Sequence, residues 1–201
     1  MKILGDALSI GKKVVIADLH FGLVPFYDRE LLEKVLRLAE KFQTLVIAGD
    51  IRHLGKKSPF QDFLNKISGI VEVLIVRGNH DIGISGYKSL KIGRYSIFHG
   101  HAIPEGFLNS KFFIFAHAHP SVVISSEIGG LKERAFLAGE IEIQDERRKL
   151  LVLPAFNELC SSTAVNLEKP AGFVFRRFKY HDWDAILLDG TVLSLKSISK
   201  R

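Results

Sequence analysis

Seven of the eight histidines fall between residues 20 and 119, and they gather where short apolar runs stop. Val14-Val15-Ile16-Ala17 runs into Asp18-Leu19-His20, and Leu45-Val46-Ile47-Ala48 into Gly49-Asp50. Val71 to Arg77 runs into Gly78-Asn79-His80-Asp81. Ser96-Ile97-Phe98 leads to His99-Gly100-His101, and Phe113-Ile114-Phe115-Ala116 to His117-Ala118-His119. Histidines that served only a core or a surface would not crowd onto strand ends in this way. Oxygen and imidazole donors without thiolates suit hard-to-borderline divalent ions, Mn first, with Fe, Zn or Ni as alternatives. Asp-x-His and His-x-His on an extended backbone aim two donors to one side, because residues i and i+2 share a face. Two ions about 3.5–4 Å apart need a bridging carboxylate, and Asp50, isolated after a glycine, is the candidate. Such a pair lowers the pKa of a bound water, supplies hydroxide near neutral pH and clamps a phosphoryl group during in-line attack.

Strands must carry these residues to one edge. Val71 to Arg77 is rich in β-branched residues and reads as a buried strand. Ala7 to Ile10 and Lys13 to Ala17 are two short strands around Gly11-Lys12, and Thr44 to Ala48 is another. Between them, Asp28 to Lys41 repeats Leu31, Leu32, Val35, Leu38, Ala39 and Phe42 at helical spacing, with Asp28 as N-cap. Ser58-Pro59 opens a second helix to about Ser68, with Pro59 at its first position. This β-α-β-α-β order implies a parallel sheet with right-handed crossovers, and ligand sites in such sheets lie at the carboxyl ends of strands. Beyond residue 90 the pattern becomes many short strands. They are Arg94–Phe98, Phe112–Phe115, Ser121–Ser125, Lys132–Leu137, Ala138–Ile143, Lys149–Leu153, Phe173–Tyr180, Ala185–Leu188 and Thr191–Leu195, the last two around the hairpin signal Asp189-Gly190. A second, mixed or antiparallel sheet packed on the first follows, within one domain spanning residues 1–201.

In this order the motifs resemble the calcineurin-like metallophosphoesterase superfamily, whose signature is Asp-x-His, Gly-Asp, Gly-Asn-His-Asp/Glu, a lone His, then Gly-His-x-His. The resemblance covers residues 17–119 with every ligand present. Ala116 stands where the family usually has glycine, a departure expected to crowd the backbone slightly and remove no ligand. The resemblance implies that Asp18, His20 and His119 hold one ion, that Asn79, His99 and His117 hold the other, and that Asp50 bridges them. It also implies that His80 contacts the phosphate or protonates the leaving oxygen, with Asp81 orienting its imidazole. The implied fold is α/β (α+β), a two-sheet β-sandwich flanked by helices in four layers.

Two shorter stretches bear on substrate. Gly49-Asp50-Ile51-Arg52-His53 resembles the double-strand-break repair nucleases, where a histidine three places after the bridging Asp helps handle DNA. Leu153-Pro154-Ala155-Phe156-Asn157 and the Ala17-to-Gly22 motif resemble the small archaeal and ligase-associated phosphoesterases related to them. The repair nucleases carry a DNA-capping domain after the catalytic one, for which a chain stopping at Arg201 leaves little room. His53, Lys56 and Lys57 are candidate substrate contacts, with His53 equally readable as a surface loop histidine. His101 reads as structural rather than a ligand, and His181, beside Asp182 and Trp183, as a surface residue. Asn157, Glu158 and Cys160-Ser161-Ser162-Thr163 could line the site but read better as a plain loop, and Pro25-Phe26-Tyr27 could cover it but reads better as simple packing.

Composition narrows the classes. Apolar content of 47% with 25% charged residues is ordinary for a soluble globular chain. No apolar run approaches the roughly 18 residues of a membrane span. An acid and a glycine near the start, together with a single cysteine, fit a cytoplasmic protein. The net charge of +6 favours a polyanionic partner such as DNA or RNA. The expected function is a dinuclear metal-dependent phosphoesterase acting on phosphodiesters of nucleic acid or nucleotides. The alternatives are a small-molecule phosphomonoesterase, a non-catalytic scaffold on the same fold, and a basic nucleic-acid-binding module with structural metals.

Overall fold

Side-chain alternation along the strands sorts the core into three layers. In the computed structural model, which describes residues 1–53, 60–103, 109–126 and 129–199, β1 (Lys2–Leu4), β2 (Ala7–Ile10) and β3 (Lys13–Ile16) pair antiparallel. β3 then runs parallel to β4 (Thr44–Ala48), and β4 to β5 (Glu72–Val76), with Val15 opposite Val46 and Val46 opposite Leu74. Helices α1 (Asp28–Ala39) and α2 (Phe60–Ser68) supply the crossovers. Val14, Ile16, Leu45 and Ile47 point outward into a cluster with Leu31 and Val35 of α1 and Phe63 and Ile67 of α2. Their neighbours Val15, Ala17, Val46 and Ala48 point the other way, against the second sheet.

The second sheet contains β6 (Leu90–Ile92), β7 (Tyr95–Ile97), β8 (Phe112–Phe115), β9 (Pro120–Ser126), β10 (Gly129–Ile143), β11 (Glu146–Val152) and β12 (Thr163–Ala164). Its order is β12-β9-β10-β11-β8-β7-β6, and β13 (Asp184–Leu187) and β14 (Val192–Ser194) extend from β10. Ile97, Ile114, Phe136 and Leu151 fill the layer between the sheets. Phe113, Phe115, Leu137 and Val152 face outward, onto α3 (Phe173–Arg177) and α4 (Leu195–Ile198). Two sheets with helices on both outer faces match the expected architecture.

Several elements differ from the expectation. Phe173–Tyr180 is not a strand: Phe173, Val174 and Phe175 are all buried in succession, and the five-residue α3 places them on the outer face of the sheet. Lys132–Leu137 and Ala138–Ile143 are one strand, β10, which changes partners along its length. Gly129–Arg134 pairs with β9, and Leu137–Ile143 with β11. The turn into β11 puts Gln144 (φ 52°) and Asp145 (φ 62°) in the left-handed region, as a tight hairpin requires. Asp28 does not cap α1: the cap position is Tyr27, whose side chain makes no capping bond and donates instead to Glu158 Oε1 at 2.8 Å. Instead both Asp28 carboxylate oxygens accept the Gly22 amide, at 2.9 and 3.0 Å, and so fix the loop after His20. Lys56, Lys57 and Pro59 lie outside the described residues. No helix among those described is long and apolar enough to cross a membrane.

Candidate metal centre

The carboxyl ends of β3, β4, β5, β7 and β8 meet at one edge of the sandwich, and the backbone there is bent into rare conformations. Asp18 (φ 55°), His20 (46°), Asp50 (49°), His117 (71°) and His119 (43°) all sit in the left-handed region. Non-glycine residues reach it seldom, and each such residue costs of order 1–3 kcal/mol. Neighbouring loops hold these conformations in place. Asp18 N–H donates to Gly49 O (3.1 Å), His20 N–H to Asp50 O (2.9 Å), and Ala116 N–H to His99 O (2.9 Å). The glycines before Asp50 and Asn79 are needed for closeness. A Cβ on Gly49 would stand 2.2 Å from His99 Nδ1, and one on Gly78 2.0 Å from Asp50 Oδ1. Ala116, expected to crowd the backbone, packs its methyl group into the layer between the sheets.

The donors converge. His99 Nδ1 lies 3.0 Å from Ala48 O and so carries the proton of the neutral ring. Its Nε2 faces two further acceptors, Asn79 Oδ1 and Asp50 Oδ2, each at 3.2 Å. On the other side of Asp50, His20 Nε2 lies 3.7 Å from Oδ2, and His119 Nε2 lies 3.6 Å from Asp18 Oδ2. Asp18–His20–Asp50 and Asp50–His99–His117 each gather their ligand atoms within 4.8 Å, with Asp50 in both groups. Asp18 Oδ1 and both ring nitrogens of His20 are buried with no hydrogen-bond partner among the described residues, a costly arrangement unless a cation is bound. This donor set fits divalent ions.

Electrostatics follow the same geometry. Burial, with His99 adding to it for His117, lowers the His20 and His117 pKa values to about 4, so both offer lone pairs at neutral pH. Burial also works against charge on His99 and His119. Asp50 and Asp18 outweigh it, lifting His99 above its ordinary value and His119 to about 9. Asp18 and Asp50 in turn are held below the usual carboxylate range despite burial, by His119 and His99 respectively. Two further residues frame the centre. His80 donates its backbone N–H to Asp50 Oδ1 at 2.9 Å, and its ring stands edge-on to His20, 5.0 Å between centroids. Asp81 is buried, accepting Ile51 N–H (2.9 Å) and Gly78 N–H (2.8 Å), which ties the loops after β4 and β5 together.

A model of the calcineurin-like phosphoesterase family matches residues 12–153. The chain belongs to that family. Among solved structures it is similar to the nuclease MPE of Pseudomonas putida, at 21% identity and a TM-score of 0.59, covering 80% of this chain and 83% of that one. It is also similar to a predicted phosphoesterase of Streptococcus pneumoniae, at 16% identity and a TM-score of 0.38, covering 90% and 91%. Vps29 of Entamoeba histolytica in complex with zinc matches at 20% identity and a TM-score of 0.38, covering 71% and 73%. No curated protein matches by sequence.

Calcineurin-like phosphoesterases bind divalent metals, for which this centre is the candidate, and the structure adds surroundings that the motifs do not show. Residues 154–163 lie against it, including Asn157, Glu158 and residues 160–163, for which a plain loop is the preferred reading of the sequence. Phe156 N–H donates to Ala17 O (2.8 Å), buried Asn157 Nδ2 to Leu19 O (2.8 Å), and Arg134 Nη1 to Ala155 O (2.8 Å). His119 Nδ1 lies 3.0 Å from Ser161 O, and Cys160 Sγ is grouped with His20 and His119. One signal was available: Leu150 to Leu153 is another apolar run closing on an Asn-bearing loop. His53 joins the cluster, its ring 5.9 Å from His20 and 5.7 Å from His80. His101, 5.3 Å from the His99 ring, is exposed and lines a cleft of about 710 Å³ together with Arg77, Lys88, Ile82 and Ile103. His181 stacks on Tyr180.

Proposed function

We propose that this protein is a dinuclear metal-dependent phosphoesterase that hydrolyses phosphodiesters in nucleic acid or nucleotides. The observation that carries the reading is Asp50, a buried carboxylate common to one group of donors with Asp18 and His20 and another with His99 and His117. Asp18, His20 and His119 would hold one ion, Asn79, His99 and His117 the other, and Asp50 both, with Mn the first ion to test. Bound there, the pair would generate a nucleophile from water at neutral pH and neutralise charge on the phosphoryl group. His80 stands beside the ligands and serves as the group that protonates the leaving oxygen. Its backbone bond to Asp50 Oδ1 fixes the main chain from which the imidazole reaches. Asp81 positions this segment through the Ile51 and Gly78 amides.

The substrate reading rests on charge and room. The chain carries a net charge of +6, and the cleft beside His99 offers Arg77 and Lys88 next to the exposed apolar side chains of Ile82 and Ile103. A diester brings a second substituent that can use such a cleft, whereas a small monoester does not. The shared fold with a nuclease makes nucleic acid the first polymer to try. The test is a panel of bis-p-nitrophenyl phosphate, p-nitrophenyl phosphate, 2′,3′-cyclic nucleotides and single- and double-stranded DNA with added Mn. The expected result is cleavage of diesters over monoesters. Strong monoesterase activity with no diester or DNA cleavage would instead make the protein a small-molecule phosphatase.

A further inference from the structure

One donor near the centre belongs to none of the motifs that build it. Cys160 is buried, and its Sγ lies within 4.8 Å of ligand atoms of both His20 and His119. His20 is 5% exposed, and neither of its ring nitrogens has a hydrogen-bond partner among the described residues. His119 is oriented as a metal-ligating histidine is, its Nδ1 engaged by Ser161 O at 3.0 Å and its Nε2 directed at Asp18. The thiol donates to the Asp18 carbonyl oxygen at a long 3.8 Å.

The segment that carries the thiol is held from several sides. Cys160 N–H donates to Asn157 O (3.2 Å), and Asn157 Nδ2 reaches back to Leu19 O (2.8 Å), between Asp18 and His20. Thr163 N–H donates to His119 O (3.0 Å) just beyond. The Cys160 loop is therefore bound on one side to the residues around Leu19 and on the other to His119, the same two segments that supply the His20 and His119 imidazoles.

We propose that Cys160 is a thiolate ligand on the Asp18–His20–His119 side of the centre, giving that half-site a preference for borderline-to-soft ions such as Zn or Cd. This rests on the metal-centre reading above and makes its two halves chemically unequal. The Asn79–His99–His117 side keeps only oxygen and imidazole donors, while the other side gains sulfur, which selects softer ions. On coordination the sulfur–metal bond replaces the S–H bond, and the proton leaves to solvent.

Cobalt(II) reads this directly, because thiolate ligation adds a near-ultraviolet sulfur-to-cobalt charge-transfer band. The chain has one cysteine, so such a band can come from no other thiol. The metal-free protein, titrated anaerobically with Co(II), should develop the band as its first sites fill. Cys160→Ser should bind cobalt without it, and should lose about tenfold or more in Cd affinity, since even outer-shell changes cost that much. Should the variant fail to fold, X-ray absorption of the zinc-loaded wild type decides: a sulfur shell at about 2.3 Å supports the assignment, and a shell of N and O donors alone overturns it. Cobalt bound by the wild type without the band would overturn the Cys160 assignment and leave the metal centre standing. No cobalt bound at all would overturn both.

Discussion

Asp50 illustrates how much depends on single side chains at this edge. Its Oδ1 accepts the His80 amide, while its Oδ2 lies 3.2 Å from His99 Nε2 and 3.7 Å from His20 Nε2. Replacing it with Asn keeps the shape but removes the charge that holds both donor groups together. Asp50→Asn should therefore weaken both sites and abolish hydrolysis. Elemental analysis of the purified variant still showing two tightly held ions per chain would exclude the bridging role. His80 is a different case, beside the donors without being one of them. His80→Asn should keep the wild-type metal content and lose rate, most of all for esters whose leaving group has a high pKa, where help from a general acid matters most. A rate loss of the same size for good and poor leaving groups would rule out the acid role. Most of these residues could be named from the sequence, because each ends an apolar run in a motif with tight spacing. Cys160 could not: it stands 41 positions after His119, in a loop with no ligand spacing, and only the bonds of Asn157 and Ser161 bring it in.

At the level of elements, the loops after β3, β4 and β5 pack so closely that glycine is a structural requirement. Gly78→Ala tests this without a backbone penalty, because its φ lies outside the left-handed range. The new methyl would meet Asp50 Oδ1 at 2.0 Å and the Asp50 amide nitrogen at 2.5 Å, so the carboxylate must move. Metal affinity should fall by at least about tenfold, the scale on which disturbed outer-shell contacts act. Gly83→Ala faces open space and should leave affinity unchanged, although its φ of 79° costs some stability. Isothermal titration showing wild-type affinity in Gly78→Ala would refute the close-packing argument. The β3-α1-β4-α2-β5 unit was readable because each strand is a short apolar run and each helix repeats at 3.6 residues. The second sheet was only partly readable. β10 carries one strand through a change of partners, and a hydrophobic pattern set by β9 in one half and β11 in the other looks like two strands. The Phe173–Phe175 run is apolar at every position, so periodicity alone cannot separate a strand from the turn of helix it forms.

For the whole molecule, the cluster of buried histidines sets how the metal-free protein answers to pH. Take first the groups with lowered pKa. His20 and His117 titrate near 4 when folded against about 6.5 when unfolded, so the unfolded chain binds more protons between those values. Stability therefore falls as pH drops from about 6.5 towards 4. Asp18 and Asp50, held below the ordinary carboxylate value, add to the loss at still lower pH: their contribution is present above the unfolded pKa and disappears as pH falls through the folded one. His119 has the opposite sign. Its folded pKa of about 9 means that its stabilising interaction with Asp18 is complete below about 6.5 and is lost as pH rises towards 9. The metal-free protein should thus show a melting temperature that peaks near pH 6.5 and declines on both sides. His99 is raised by the same two carboxylates, so replacing His119 with Asn should make the alkaline limb shallower without abolishing it, and leave the His20 and His117 part of the acid limb in place. Saturating divalent metal should also remove the alkaline decline, because bound ions compete with the His119 proton and stabilise only the folded chain. Thermal melts from pH 4 to 9, with chelator and with metal, measure all of this. An alkaline limb as steep in His119→Asn as in the wild type would mean that the Asp18–His119 pair is not coupled as the geometry implies.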